Sequence, residues 1–427
     1  MTSPGAPRQS ALALFRAGPF RLLFAIRLAT NTSSQMMAVV VGWQIYEITE
    51  SAFLLGMIGL VQFAPALLLT LFAGQVADRY DRRWILRVCF SVEVFIPAGF
   101  IVLTNLAAPP VALYFVLLFV NAITRTFEGP TQHAMLPSMV GRAVLARAIA
   151  MITSAQKLSM LIGPSLGGFI YIIGPSVAYA ACLGLIAFAA WASFLLPPPP
   201  FAEGDGRERS WATVFSGLRF IGRNPVILGL MSLDVLATFF GGVAALLPIF
   251  AKDILHVGPV GLGILRASPA MGALLMAVVL SRWPVRRRAG RMVFAGVAAY
   301  GVFTLGFGLS ENAALSVACL MGVGAGDMLG QVLRQTIIQL RIPDAMRGRV
   351  AAVNSLSVNV GSQLGQFESG VTAAWFGAVG SVLLGGFAVL AIVGYWMRRF
   401  EAIRGIEHPE EGMAAAGEDG TAGARAR

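Results

Sequence analysis

Apolar runs and short polar breaks alternate along the whole chain. Twelve runs can be marked, at about 19–48, 52–77, 84–107, 111–137, 143–173, 176–196, 225–251, 257–281, 290–310, 313–340, 347–373 and 376–398. Each is near or above the roughly 20 residues that a helix needs to cross a hydrocarbon core. The pattern predicts an all-α membrane protein with twelve transmembrane helices. The longest break, 197–224, opens on four prolines and passes through FAEGDGRERS. It ends in WATVFSGLRFIGRN, where Trp211, Val214, Phe215, Leu218 and Ile221 recur at helical spacing. An amphipathic linker helix is expected there. The expected organisation is a cytoplasmic N-terminal segment (1–18), a six-helix bundle (19–196), a cytoplasmic linker (197–224), a second six-helix bundle (225–400) and a disordered tail (401–427). A short surface helix is expected over 9–18.

Composition agrees with the pattern. The 427 residues are 57% hydrophobic and 12% charged, against roughly 25% charged in soluble domains. The net charge of +11 comes almost wholly from arginine, Lys157 and Lys252 being the only lysines. A basic chain can signal nucleic acid, but here the charge falls in loops of one parity. Those loops hold Arg79, Arg82, Arg83, Arg87, Arg142, Arg147, Arg207, Arg209, Arg219, Arg223, the cluster Arg286 to Arg288, Arg347, Arg349, Arg398 and Arg399. The alternate loops hold Glu47, Glu50, Lys252, Asp253 and Glu311. Arginine is retained on the cytoplasmic side, so both termini are expected in the cytoplasm. The basic charge reads as a topology signal with some contact to anionic lipid headgroups.

The two halves echo each other. At an offset of 204, Gly59 and Pro65 fall on Gly263 and Pro269, and Arg82 and Arg83 on Arg286 and Arg287. At 203, Glu128 and Gln132 fall on Gln331 and Gln335. At 202, Gly163 and Gly168 fall on Gly365 and Gly370. The order and near-constant offset point to duplication, hence to two pseudo-symmetric bundles.

Charge inside an apolar span costs roughly 2.5–3.5 kcal/mol at its centre, so it faces a cavity or a partner. The intramembrane set is Arg27, Glu93, Arg125, Glu128, Lys157, Asp234, Arg266, Asp327, Arg334 and Glu368. Many fall in stripes on single helix faces: Arg27, Asn31 and Ser34 in span 1; Asn121, Arg125, Glu128 and Gln132 in span 4; Asp327, Gln331 and Arg334 in span 10; Asn354, Gly361, Gly365 and Glu368 in span 11. Glu128 and Asp327 lie near mid-span, where desolvation would favour the neutral acid and a nearby arginine the charged one. Asp234 is the sole acid of span 7. The alternative is that these residues are static interhelical pairs, for Asp234 a salt bridge to an arginine.

Several segments carry a family resemblance. GQVADRYDRR (74–83), between spans 2 and 3, resembles the signature loop of the major facilitator superfamily, with Asp81 where a glycine is common. RTFEG (125–129) resembles its R-x-x-Q-G motif with Glu for Gln, and Ser159 with Gly163, Pro164, Gly167 and Gly168 resembles an antiporter motif of helix 5. GWQIYEITES, FEGPTQHAMLPSMV, GDMLGQVLRQTIIQL, RGRVAAVNSL and QLGQFESG resemble the transmembrane-secretion-effector branch, which includes enterobactin exporters and relatives of macrolide efflux pumps.

The resemblance implies two six-helix bundles and a secondary transporter that exports a siderophore or drug-like molecule by proton antiport. Cavity-lining residues would come from spans 1, 4, 7 and 10, converging on one central cavity. Gly74, Asp78, Arg79, Arg82 and Arg83 would act as a conformational latch. The helix 5 glycines would allow bending and close packing, and plain anchoring is the alternative for the loop. Solute uptake and a non-transporting membrane sensor or assembly partner are the competing functions; a degenerate transporter would be expected to shed its intramembrane charges.

Other chemistry has little support. No nucleotide-binding loop is present, so the proton gradient is the expected energy source and no cofactor is expected. Cys89, Cys182 and Cys319 sit in separate spans, and His133, His256 and His408 are scattered, so no metal site is expected. The opening MTSPGAPRQSALALFRAGPF lacks a small-residue cleavage site after a compact apolar core, and no signal peptide is expected. The expected partners are a small-molecule substrate, protons and membrane lipids, without nucleic acid, and the expected state is a monomer.

Overall fold

The structure is a computed structural model that describes residues 18–140, 144–197 and 211–408. The expected surface helix over 9–18, most of the linker, Arg142, Arg207, Arg209 and the tail beyond residue 408 lie outside the described residues. Within them the chain is helical, with no strand.

The first six helices are α1 (Gly18–Thr49), α2 (Ala52–Arg79), α3 (Arg82–Thr104), α4 (Val111–Val140), α5 (Leu145–Tyr171) and α6 (Pro175–Phe194). They correspond to spans 1 to 6. The linker helix is α7 (Trp211–Arg223). Span 7 begins as α8 (Pro225–Phe240), capped by Asn224, whose Oδ1 accepts from the Ile227 amide at 3.2 Å. Then follow α9 (Gly258–Arg282), α10 (Ala289–Gly308), α11 (Ala313–Arg341), α12 (Asp344–Arg399) and the short α13 (Glu401–Arg404).

Ten helical stretches among the described residues are long and apolar enough to cross a membrane. One of them, Met346–Arg399, holds two crossings. Helix α12 breaks at Gly377, where φ is +76°, a region only glycine enters freely, and the chain reverses there without a loop. Helix α1 completes the twelve; its arginines and polar stripe lower its hydropathy.

Two sequence expectations need correction. Span 7 is not one continuous helix to residue 251. After Gly241 and Gly242 the backbone passes through a 3₁₀ turn (Val243–Ala245), one turn at Leu247–Ile249 and a π turn at Phe250–Ile254. Two glycines and Pro248 disfavour a continuous α-helix. The Tyr300 hydroxyl donates to the freed carbonyl of Gly241 at 2.8 Å, which offsets part of the break. The disorder expected from residue 401 does not hold for residues 401–408. Ile403 and Ile406 are buried, and the amides of Ala289 and Gly290 donate to the carbonyls of Glu407 and Ile406. Residues 401–408 thereby cap the start of α10.

The chain divides into two compact units, Met1–Val41 with Leu68–Glu208, and Gly42–Leu67 with Arg209–Arg427. In the first unit the core is built where α1, α3, α4 and α6 meet, from Ile26, Leu86, Phe90, Met135 and Ala189. Phe100 stacks on Tyr179 at 5.1 Å between α3 and α6. In the second unit α7 lies on α12: Gly217 meets the carbonyl of Arg349, and the Arg349 guanidinium donates to Ser216 Oγ at 3.2 Å. The same unit contains the end of α1 and the start of α2. There Lys252 pairs with Glu50 at 3.1 Å and the Tyr46 hydroxyl donates to Asp253. Two of the sparse charges of the arginine-poor loops, Glu50 and Lys252, thus pair with each other.

The duplication read from sequence reappears as a repeated contact. A Cβ on Gly163 of α5 would lie 2.6 Å from Cβ of Gln35 on α1, and one on Gly365 of α12 would lie 2.5 Å from the carbonyl of Phe239 on α8. Span 5 on span 1 and span 11 on span 7 therefore meet by the same device, each inside its own unit.

Candidate functional site

The first unit holds a buried polar cluster on α1, α3 and α4. Helical spacing brings Thr124, Glu128 and Gln132 to one face of α4, and all three are buried. The Gln132 side-chain amide donates to Glu128 Oε1 at 2.6 Å. Arg27 of α1 is buried beside them, under the charge of Glu128 and against that of Arg125. Its Nε has no hydrogen-bond partner among the described residues. Arg125 and Asn31 are half-buried on the same helices.

Glu93 of α3 enters this cluster from the side. It is 2% exposed, and Thr124 Oγ1 lies 2.9 Å from its Oε1. The sequence marked Glu93 as intramembrane charge but not as part of the main site, because it belongs to no stripe on α3. The helix contact that joins it to Thr124 leaves no mark in periodicity.

The second unit holds a different arrangement. Asp234 of α8 and Arg334 of α11 form an ion pair at 2.6 Å, both buried. With Ala237, Thr238, Val297, Tyr300, Asp327 and Gly330 they line a small pocket. Asp327 corrects one expectation: it is exposed, and Asp234 is the desolvated acid. Two turns of α11 separate Asp327 from Arg334, and its charge acts on Asp234 across the pocket. Gln331 is half-buried next to Gly330. Glu368 does not line this pocket; it is half-buried on α12, with the Ser369 hydroxyl 3.5 Å from its Oε2.

The two clusters mirror each other with the signs exchanged. Spans 1 and 4 oppose Arg27 to Glu128, whereas spans 7 and 10 oppose Asp234 to Arg334. Each unit thus places one acid and one base on its equivalent helix pair. The buried Asp234–Arg334 pair is costly to break from one side, and in both units each charge changes its neighbour's preferred charge state.

The signature loop has a clear local role. Asp81, at the position where glycine is common, is the N-cap of α3 and accepts from the Arg83 amide at 2.9 Å. It also pairs with the Arg83 guanidinium at 2.9 Å, which holds its carboxyl below the usual range. Arg82 donates to the carbonyls of Ala77 and Ala134, tying the α2–α3 turn to the end of α4. Arg87 donates to the carbonyls of Ser193 and Phe194 at the end of α6, where the helix dipole favours a cation. Asp78 and Arg79 are exposed, while Gly74 is buried.

The helix 5 motif is a packing surface. Gly163, Pro164, Gly167 and Gly168 are all buried. A Cβ on Gly167 would lie 2.9 Å from the Met36 carbonyl. Ser159, at the motif's first glycine position, meets Thr32 hydroxyl to hydroxyl at 3.1 Å. Gly163 and Gly167 so let α5 approach the α1 backbone, one turn beyond the polar residues Arg27 and Asn31.

Comparison with known proteins gives these clusters a context. The family profile described as transmembrane secretion effector matches residues 9–413. The enterobactin exporter EntS of Shigella boydii serotype 4 is 27% identical over 393 residues, covering 89% of this chain and 92% of the relative. That of Citrobacter koseri is 27% identical over 395 residues, covering 90% and 92%. Among solved structures, the nucleoside transporter NupG matches with a TM-score of 0.69 at 15% identity, covering 89% of this chain and 98% of that one. A bacterial homologue of the human lysosomal transporter Spinster matches with a TM-score of 0.71 at 14% identity, covering 90% and 96%.

Proposed function

The chain belongs to the transmembrane secretion effector family, a transporter of major facilitator type and not an enzyme, and from that premise we propose that it exports a small amphipathic molecule by proton antiport. The observation that carries the reading is the pair of buried acid–base clusters, one in each unit, on the helices equivalent by duplication. Similarity to enterobactin exporters supports outward movement of a siderophore or drug-like compound.

The chemistry runs as follows. A buried carboxylate beside an arginine is held charged by it and pushed toward neutrality by desolvation. Protonation of Asp234 releases Arg334 from its partner, and protonation of Glu128 removes the negative charge that acts on the buried Arg27. A freed guanidinium offers directed donors to an anionic or oxygen-rich substrate. Substrate and proton thus compete for the same charges, which couples their opposite movements. The two conformations interconvert with a bias set by which of them is bound. Arg27, Asn31, Arg125, Glu128, Asp234, Asp327, Gln331, Arg334 and Glu368 are the residues assigned to this path. Asp78 and Arg79, exposed at the α2–α3 turn, are assigned to the conformational latch. In this reading the arginine-rich loops and both termini face the cytoplasm.

The test is accumulation in inverted membrane vesicles under an imposed pH gradient, with enterobactin, a macrolide and a lipophilic cation as probes. One probe is expected to accumulate and to be released when a protonophore collapses the gradient. Accumulation indifferent to the gradient would remove proton antiport. If none of the three moves, export of this class of molecule is refuted.

A further inference from the structure

Thr124 has one hydroxyl proton and two neighbours that want it. Its Oγ1 lies 2.9 Å from Glu93 Oε1 and 2.9 Å from the backbone carbonyl of Asn121. The carbonyl can only accept. If Thr124 gives its proton to Asn121, the contact with Glu93 is a hydrogen bond only if Glu93 is the donor. A carboxyl group donates only in its protonated form. The second oxygen points the same way. Glu93 Oε2 is fully buried and has no hydrogen-bond partner among the described residues. An ionised carboxylate would leave half its charge without a donor at 2% exposure. The neutral acid gives Thr124, Asn121 and Glu93 Oε1 compatible roles and leaves only an uncharged carbonyl oxygen, Oε2, without a donor.

We propose that Glu93 is a proton-binding site of this transporter, carrying its proton as a neutral acid in this conformation and exchanging it with Glu128. Glu128 is one helical turn beyond Thr124 on the same face of α4. The charged groups acting on Glu93 are Glu128 and Arg125 of α4. Its own helix adds Cys89. Helix α6, packed on α3, has no charged residue and offers only Tyr179 and Cys182. From α1, the charge of Arg27 acts with that of Glu128. Two buried carboxylates whose charges act on one another disfavour joint ionisation. One proton therefore serves the pair: it leaves Glu93 when Glu128 can accept it, and Glu128 then loses the negative charge that acts on Arg27. No other co-reactant is needed. The role of Glu93 in coupling rests on the antiport reading; its protonation does not.

The proton itself is the probe. Infrared difference spectra of the purified, reconstituted chain, titrated with pH without substrate, are expected to show the carbonyl band of a protonated carboxyl. The band is expected to vanish in Glu93→Gln and to shift in Thr124→Val, which removes the acceptor. Should Glu93→Gln fail to fold, Thr124→Val reads the same group. A band unaltered in both variants, or no band in the native chain, overturns the proposal. Coupling is read in the vesicles with whichever of the three probes the native chain moves. Glu93→Gln is expected to lose dependence on the pH gradient and to keep probe exchange at equal pH. Gradient dependence absent from the native chain defeats antiport. Gradient dependence retained in Glu93→Gln defeats the coupling role of Glu93 alone.

Discussion

Arg334 of α11 holds Asp234 of α8 at 2.6 Å, with side chains only 6% and 10% exposed. The pair spans the helices of the second unit equivalent to those of Arg27 and Glu128. Removing one partner from a buried pair leaves an uncompensated charge and costs roughly 3–5 kcal/mol. Arg334→Ala is therefore expected to lower thermal stability strongly. The double variant Asp234→Asn with Arg334→Gln is expected to regain most of it and to remain inactive. Thermal unfolding in detergent and vesicle transport separate the two effects. Equal destabilisation of single and double variants would show that packing, not charge, holds the site.

Asp81 and Asp78 lie three residues apart and should behave differently. Asp81→Ala removes the cap of α3, a loss of about 1 kcal/mol. The folded-state pKa of Asp81 is depressed by the Arg83 hydrogen bond. Its contribution is thus present above the unfolded-state value and lost as pH falls through the folded one. Native and Asp81→Ala stabilities should converge in acid. Asp78 is exposed, and Asp78→Asn is expected to slow transport while leaving stability unchanged. Normal transport in Asp78→Asn would end the latch role.

Gly163→Val and Gly365→Val should each cost roughly 1–3 kcal/mol by overpacking, since each new side chain meets a neighbouring helix at under 3 Å. Gly129→Ala is the control, because nothing lies within 4 Å of its Cβ position. Inside a helix that change should be neutral or stabilising by up to about 1 kcal/mol. Melting temperatures of the three variants decide the matter.

Gly56 of α2 and Gly370 of α12 make a contact of a different order from the ion pair near it. A Cβ on Gly56 would lie 2.7 Å from the Gly370 Cα. Glu50 is 76% exposed and the Lys252 it pairs with is half-buried. Such a pair contributes about 0–1 kcal/mol. Gly56→Leu is expected to destabilise the second unit well beyond Glu50→Gln. The reverse ranking, read from unfolding midpoints, would mean that charge and not backbone approach joins these segments.

Much of the fold was legible because a bilayer is an unforgiving solvent. Runs near 20 apolar residues declare themselves, and the duplicated positions Gly163 and Gly365 sit at matching contacts in the structure. The break at Gly241 was less visible, since its cost is offset by Tyr300, 59 residues away. Stripes located Glu128, Gln132 and Arg334 because one helix carries each stripe. They could not pair Asp234 with Arg334, nor bring Glu93 to Thr124, because those relations exist only between helices. The exposure of Asp327 was hidden for the same reason: mid-span position does not say which way a helix face turns. Asp81 looked like a departure from the family pattern, and its reason is local: it caps α3.

The loopless reversal at Gly377 has a consequence for biogenesis. Between Glu368 and Arg398 there is no charged residue, and the turn itself offers the insertion machinery no charge by which to orient it. The two crossings of α12 are expected to enter the bilayer as one hydrophobic hairpin. Their direction is then expected to be set at the feet, by Arg347 and Arg349 before and Arg398 and Arg399 after. Lengthening the turn with a charged tag would hand that decision to the tip.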